Sequence, residues 1–330
     1  MRRRRLAVAL LVALILAACG QASTGAGSQG TPDGAGGETL RLYTTVTQET
    51  VDAVVAAFAE TEPDTQVEVF RAPTGELNAR IAAEQREGGV QADVLWLTDP
   101  LSMQQYDAEG LLAAYEPAEI DAVPAEYRTD TFTGTRLLNL VIVHEADLDP
   151  APQTWQDLAD PAYRDAVALP DPSFAGSAFG ALGYFAEAEG GLDFYASLAD
   201  NGVVQVPSPG EVTSGVAEGR FVAGMTLDAD ARTAAEAGSP VESVVPESGA
   251  IAVYSPIAVI DSAANTEAAE TFVDFSLTIP AQEAIAGTGW EPIRDDVEWE
   301  HEAMQVAPDW SAIYDRQDEL LEEYRAIIGG

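Results

Sequence analysis

The chain has no lysine, a single cysteine and only two histidines. Cys19 alone cannot form a disulfide framework within the chain, and it leaves no thiol cluster for zinc. His144 and His301 rule out a multi-histidine metal site and give a Ser-His-Asp arrangement only two candidate bases. Neither a G-x-S-x-G elbow nor an H-E-x-x-H helix is present. Positive charge is scarce as well: 16 arginines face 55 acids, for a formal net charge of −39. Nucleic-acid binding rests on neutralising phosphates with cations, so this balance excludes it. No apolar run reaches the ~20 residues of a membrane span.

Apolar content is 47%, ordinary for a chain with a proper core, and 330 residues suggest two domains. The acids are spread along the whole chain. That pattern fits a solvated surface suited to high salt better than an electrostatic funnel for a cationic ligand. At the start, Arg2 to Arg5 precede an apolar run from Leu6 to Ala18, the form of a secretory signal. The junction Leu16-Ala17-Ala18-Cys19 resembles the lipobox of bacterial lipoproteins, in which cleavage leaves the cysteine as a lipidated N-terminus. This implies residues 1–18 as signal peptide, Cys19 as lipidation site, and an extracytoplasmic protein anchored to the cell membrane. Residues 19–38, rich in Gly, Ser and Thr, read as a flexible tether.

From Thr39 the pattern alternates strand and helix. Leu40 to Tyr43 alternates as a strand. Val51, Val54, Val55 and Phe58 recur at helical spacing. Thr65 to Phe70 is a second strand, Thr74-Gly75 opens a second helix, and Ala92 to Leu97 is a third strand. Leu137 to His144 reads as a crossover strand. Ala166 to Leu169, Val203 to Val206 and Val222 to Leu227 are further strands, with a helix beginning near Ala178. Ala250 to Ile260 is a return crossover. Thr266 to Leu277 and Ala281 to Ala286 read as helices, and Ile313 to Ile328 as one amphipathic C-terminal helix. The expected class is α/β with parallel pairing, and ligands in such sheets sit beyond the carboxyl ends of strands.

Several ordered blocks resemble one family. They are Leu42-Tyr43-Thr44-Thr45, Thr74-Gly75-Glu76-Leu77, Ala92-Asp93-Val94-Leu95-Trp96 and Trp155-Gln156-Asp157-Leu158. Further on come Leu169-Pro170-Asp171-Pro172-Ser173 with Gly176-Ser177, then Gly219 to Gly224, Val245 to Gly249 and Ala269 to Phe275. Their order is similar to that of the ferric/organophosphate-type extracellular solute-binding proteins. The resemblance implies a two-lobed type II periplasmic-binding architecture with a ligand cleft between the lobes. Residues 39–138 plus about 256–300 would form lobe 1 and 139–255 lobe 2, with 301–330 a helical segment assigned to neither. It also implies a monomeric, non-enzymatic receptor with no cofactor that delivers a small molecule to ABC-transporter permease subunits.

The candidate ligand-binding residues are Thr44, Thr45, Thr74, Thr98, Ser173, Gly176, Ser177, Thr226, Asp228 and Tyr254. Thr44, Thr45, Thr74 and Thr98 are hydroxyl donors at strand or helix ends. Ser173 to Ser177 would offer a helix N-terminus with free N–H groups, suited to phosphate, phosphonate or carboxylate, with Ser177 as its cap. Thr226 and Asp228 end a strand, and Asp228 could hold an amine. The expected solute is an organophosphate or phosphonate, with or without an amine. Iron is the second reading. Ferric members carry adjacent tyrosines where this chain reads Leu227-Asp228-Ala229-Asp230, although Tyr43 and Tyr254 remain. A secreted hydrolase is the least favoured class.

Overall fold

The computed structural model describes residues 38–188, 190–301 and 303–329. The leader, Cys19 and the tether before residue 38 lie outside the described residues. Among the described residues eleven strands are present: β1 (Thr39–Thr44), β2 (Gln66–Arg71), β3 (Val94–Trp96), β4 (Thr133–Glu145), β5 (Val167–Pro170), β6 (Val204–Val206), β7 (Ala223–Leu227), β8 (Val241–Val244), β9 (Ala250–Val259), β10 (Glu291–Pro292) and β11 (Gln305–Val306). The α-helices are α1 (Gln48–Thr61), α2 (Thr74–Glu87), α3 (Pro100–Ala108), α4 (Gly176–Glu187), α5 (Asp193–Asp200), α6 (Pro209–Ala217), α7 (Asp228–Glu236), α8 (Thr266–Ser276), α9 (Ile279–Gly287), α10 (Trp310–Asp315) and α11 (Gln317–Ile328).

The strands join in the order β2-β1-β3-β9-β4-β7-β5-β6. Each end of this path is parallel: β1 with β2 and β3, and β5 with β6 and β7. The centre is antiparallel and built from two long strands. The first half of β4, Thr133 to Leu140, pairs with β9. Its second half, Leu140 to Glu145, pairs with β7 and β8. A single strand therefore passes from one strand group to the other, and β9 makes the return. Every residue of β9 is buried, as is all of β4 but Glu145. That is why both read as continuous apolar runs rather than alternating ones. The architecture is the two-lobed type II fold expected from the sequence.

Local chemistry accounts for the joints. The Asp93 carboxylate, fully buried, accepts backbone N–H bonds from Arg41 (2.8 Å), Ala264 (2.8 Å) and Asn265 (3.1 Å). It ties β1 to the loop that opens α8. Asp99 caps α3, accepting from the Ser102 N–H at 2.8 Å, and Pro100 begins that helix.

Two expectations change. The C-terminal segment is not one helix: it breaks at Arg316 into α10 and α11. The segment spans both groups, α10 touching α3 and α4 while α11 lies on α4 and α5. Two glycines on α4 admit α10. A Cβ at Gly183 would meet Ile313 Cδ1 at 2.0 Å, and one at Gly180 would meet Trp310 at 2.8 Å. The helix expected near Ala178 begins instead at Gly176, with Ala175 in the capping position. Ser177 therefore lies inside the first turn and cannot serve as its cap.

Candidate functional site

Segments from both strand groups meet at the start of α4. A cavity of about 190 Å³ is walled there by Thr74 and Asn78 of α2, Asp99 and Ser102 at α3, Ser173 and Gly176 before and in α4, and Leu321 and Arg325 of α11. Phe174 stands at its edge, 66% exposed. Contact across this junction is close: a Cβ at Gly176 would fall 2.4 Å from the Asp99 Cβ and 2.7 Å from its Oδ2. Only glycine permits that approach. Burial pushes the Asp99 carboxyl above the ordinary range, against the N–H and O–H bonds from Ser102 that favour its ionised form. Arg325 donates to Ser173 Oγ at 3.1 Å. The cavity thus combines the first turn of α4, hydroxyl groups and one guanidinium, a set able to hold an oxyanion. A larger hollow of about 330 Å³ beside Trp155 and Phe194 lies wholly within the second strand group.

The sequence candidates separate into three groups. Thr74, Ser173 and Gly176 line the cavity, and Ser177 is buried one residue further into α4. Thr45 and Thr98, both half-buried, bond each other through their hydroxyls at 3.0 Å, and the Thr98 N–H donates to Thr45 Oγ1 at 2.9 Å.

The remaining four are committed within the fold. Thr44, fully buried, donates to the Trp96 carbonyl at 2.6 Å and accepts from the Val46 N–H at 3.0 Å. Thr226 bonds the Pro209 carbonyl at 2.9 Å and the Thr213 hydroxyl at 2.7 Å. Asp228 pairs with Arg232 at 2.8 Å, and Arg232 also donates to the Gly289 carbonyl at 2.7 Å. Tyr254 is buried between the rings of Tyr127 and Trp310, and burial holds its hydroxyl protonated well beyond the usual range. Tyr43 is likewise engaged: it donates to Glu84 at 2.8 Å and accepts from Arg80 at 2.6 Å, and burial pushes it up to about 12. Neither histidine reaches the cavity. His144 is buried with Nδ1 at 2.7 Å from the Glu145 carbonyl, and the exposed His301 ring lies against Trp299.

A second polar cluster escaped the sequence reading. Arg136, on β4, is fully buried. Its Nη1 donates to Thr50 Oγ1 at 3.3 Å, and its guanidinium lies 4.5 Å from the Trp290 ring centre. Nε and Nη2 have no partner among the described residues. Burial brings the guanidinium down to about 9, an effect the charge of Asp230 opposes. Asp230, half-buried in the first turn of α7, is pushed up to about 6 by burial, which Arg136 only partly offsets. Thr47 and Thr288 complete a hydroxyl chain through Thr50, each at 2.9 Å. The signal in the sequence was an arginine immediately before the mostly apolar run Leu137 to Val143. Nothing local singled out Asp230 among 55 acids.

Known proteins share this fold. Residues 40–291 match the family described as bacterial extracellular solute-binding protein. A Salmonella typhimurium protein named as a candidate 2-aminoethylphosphonate-binding periplasmic protein is 27% identical over 218 residues, covering 63% of this chain and 64% of its own length. The periplasmic binding protein AfuA of Actinobacillus pleuropneumoniae, solved with fructose-6-phosphate, superposes with a TM-score of 0.79 at 22% identity, over 88% of this chain and 99% of that one. Iron-bound HitA of Pseudomonas aeruginosa gives 0.75 at 20% identity, over 88% and 99%. With strand order, crossing strands and matched residues in agreement, the chain belongs to the bacterial extracellular solute-binding protein family.

Proposed function

We propose that this protein captures a small oxyanionic solute, an organophosphate or phosphonate, between two lobes and presents it to the permease subunits of an ABC importer. Solute capture for import is the role of its family; the nature of the solute is our reading. One observation carries it: the cavity at the start of α4 gathers hydroxyls, helix N–H groups and Arg325 from segments on both sides of the crossing strands. Two similar proteins carry a phosphonate or a sugar phosphate in their names, which supports the same chemistry. We take residues 39–138 with about 256–300 as one lobe and 139–255 as the other, hinged on β4 and β9. Anchoring through a lipid on Cys19 and a monomeric state complete the reading.

A thermal-shift screen tests it, because a ligand that binds only the folded chain raises the melting temperature by mass action. Phosphonates and sugar phosphates are expected to raise it, and Arg325→Ala to reduce the shift. A panel with no oxyanion shift would reject the reading. Fe(III) belongs in the same panel, since the likeness to iron-bound HitA favours iron as the second reading. Tyr43 and Tyr254 are poor phenolate donors as placed, so a coloured iron complex would require other ligands.

A further inference from the structure

Arg136 presents an unusual combination. Its side chain is wholly buried, one N–H edge reaches Thr50, and Nε and Nη2 face no acceptor among the described residues. A buried guanidinium satisfied only in part is costly. The acid whose charge acts on it, Asp230, does not close the gap: the two make no nitrogen–oxygen contact within 4.0 Å. No hydrogen bond to Asp230 occurs among the described residues either, and its carboxylate lies 3.6 Å from where a Cβ on Gly210 would sit. Asp228, two residues earlier, is by contrast locked to Arg232.

The pair sits where α7 packs on β4, on the strand that passes between the two groups. Three helix starts contribute to it. Thr47 precedes α1 and Thr50 lies in its first turn, Gly210 comes from α6 and Asp230 from α7. The β1–α1 loop also carries Thr45, which bonds Thr98 next to Asp99. This cluster and the α4 cavity are therefore joined through one loop.

We propose that Arg136 and Asp230 recognise a zwitterionic head on the solute, an oxyanion taken by the unpartnered N–H edges of Arg136 and an ammonium taken by Asp230. Opposite charges held apart by the fold suit a ligand that carries both, in the reverse order. An anion alone would satisfy Arg136 but repel Asp230; an amine alone would do the opposite. The solute class is therefore an aminophosphonate or an amino acid, which share this head. The proposal deepens the oxyanion reading above and rests on it. It also moves the amine contact from Asp228 to Asp230, and adds to the exposed Arg325 a charge shielded from water.

Isothermal titration of the full chain with aminomethylphosphonate, glycine, methylphosphonate and methylammonium tests it. The zwitterions are expected to bind at least about tenfold more tightly than either single-charge probe, the scale of one charge-assisted hydrogen bond. Phosphonate against carboxylate identifies the oxyanion. Asp230→Asn should erase the preference for zwitterions while retaining methylphosphonate binding, and Arg136→Gln should weaken every oxyanion probe. Circular dichroism confirms folding of each variant, and Asp230→Asn alone suffices if Arg136→Gln does not fold. An unchanged zwitterion preference in Asp230→Asn, or none in the parent chain, overturns the proposal. Methylphosphonate binding that depends on Arg325 but not on Arg136 or Asp230 overturns it and leaves the oxyanion reading standing. A parent chain that binds none of these probes and no phosphonate or sugar phosphate overturns both.

Discussion

Asp99 and Gly176, from opposite strand groups, approach so closely that a Cβ on residue 176 would stand 2.4 Å from the Asp99 Cβ. The contact joins the cap of α3 to the first residue of α4. It leaves the backbone of the α4 turn bare beside a buried carboxyl.

Gly176→Ala tests whether that contact belongs to a closed form that can open. In a permanent contact, overpacking would cost ~1–3 kcal/mol of stability. In a hinged molecule, opening relieves the clash. We expect stability to change by less than about 1 kcal/mol and oxyanion affinity to fall about tenfold, the equivalent of ~1.4 kcal/mol. Urea denaturation and titration calorimetry give the two numbers.

Asp230 makes the fold pH-sensitive in a specific direction. Its carboxyl is raised to about 6 in the folded chain, above the unfolded value near ~3.9. Between those values the folded state holds more protons, so this group's contribution to stability rises as pH falls from 7 towards 4. Asp230→Asn should therefore be more stable than the parent at pH 7, by ~1–3 kcal/mol, with the gain vanishing near pH 4. Glu211 on α6 and Glu242 on β8 are solvent-exposed, leaving Arg136 as the charge that opposes the effect of burial. Zwitterion affinity of the parent should fall as pH drops below about 6. Denaturation at pH 4, 5.5 and 7 checks the sign.

Asp228→Asn should act through Arg232 rather than by losing a ligand contact. Both side chains are about one-fifth exposed, and losing the pair should cost ~0.5–1.5 kcal/mol. Arg232 would keep its bond to the Gly289 carbonyl with less restraint. Selectivity between zwitterionic and anionic probes should remain as in the parent chain, in contrast to Asp230→Asn. Paired titrations of the two variants make the comparison.

With 55 acids against 16 arginines, self-repulsion opposes the compact state and salt screens it. Melting temperature should rise steadily between about 0.05 and 1 M NaCl, as the Debye length falls from over ~10 Å to ~3 Å. A flat response would show that the acids are already balanced locally.

The fold was largely legible because its buried strands are apolar runs, β4 and β9 above all, and because α1 shows one clear apolar stripe. The polar α7 was hidden, since only Ala229 and Ala231 are buried in it. The break at Arg316 was hidden for another reason: Ile313 and Leu320 keep a helical spacing across it while the backbone departs from helix. The α4 turn was readable from Ser173 and Gly176, because such residues mark chain turns. Thr44 and Thr226 misled because a hydroxyl at a strand end can equally close on a backbone carbonyl, as both do. Arg136 and Asp230 lie 94 positions apart in the sequence, and only the packing of α7 on β4 brings them together.

The exposed Phe174 at the cavity edge has a practical consequence. No cysteine occurs after residue 19, so a cysteine placed at 174 would be the only thiol in the described body. A solvent-sensitive dye attached there would stand beside Arg325 and Gly176 and change brightness as solute enters. The same side chain that leaves the wall of the cavity uncovered thus offers an optical readout of occupancy, usable on a mixture of metabolites before any one has been purified.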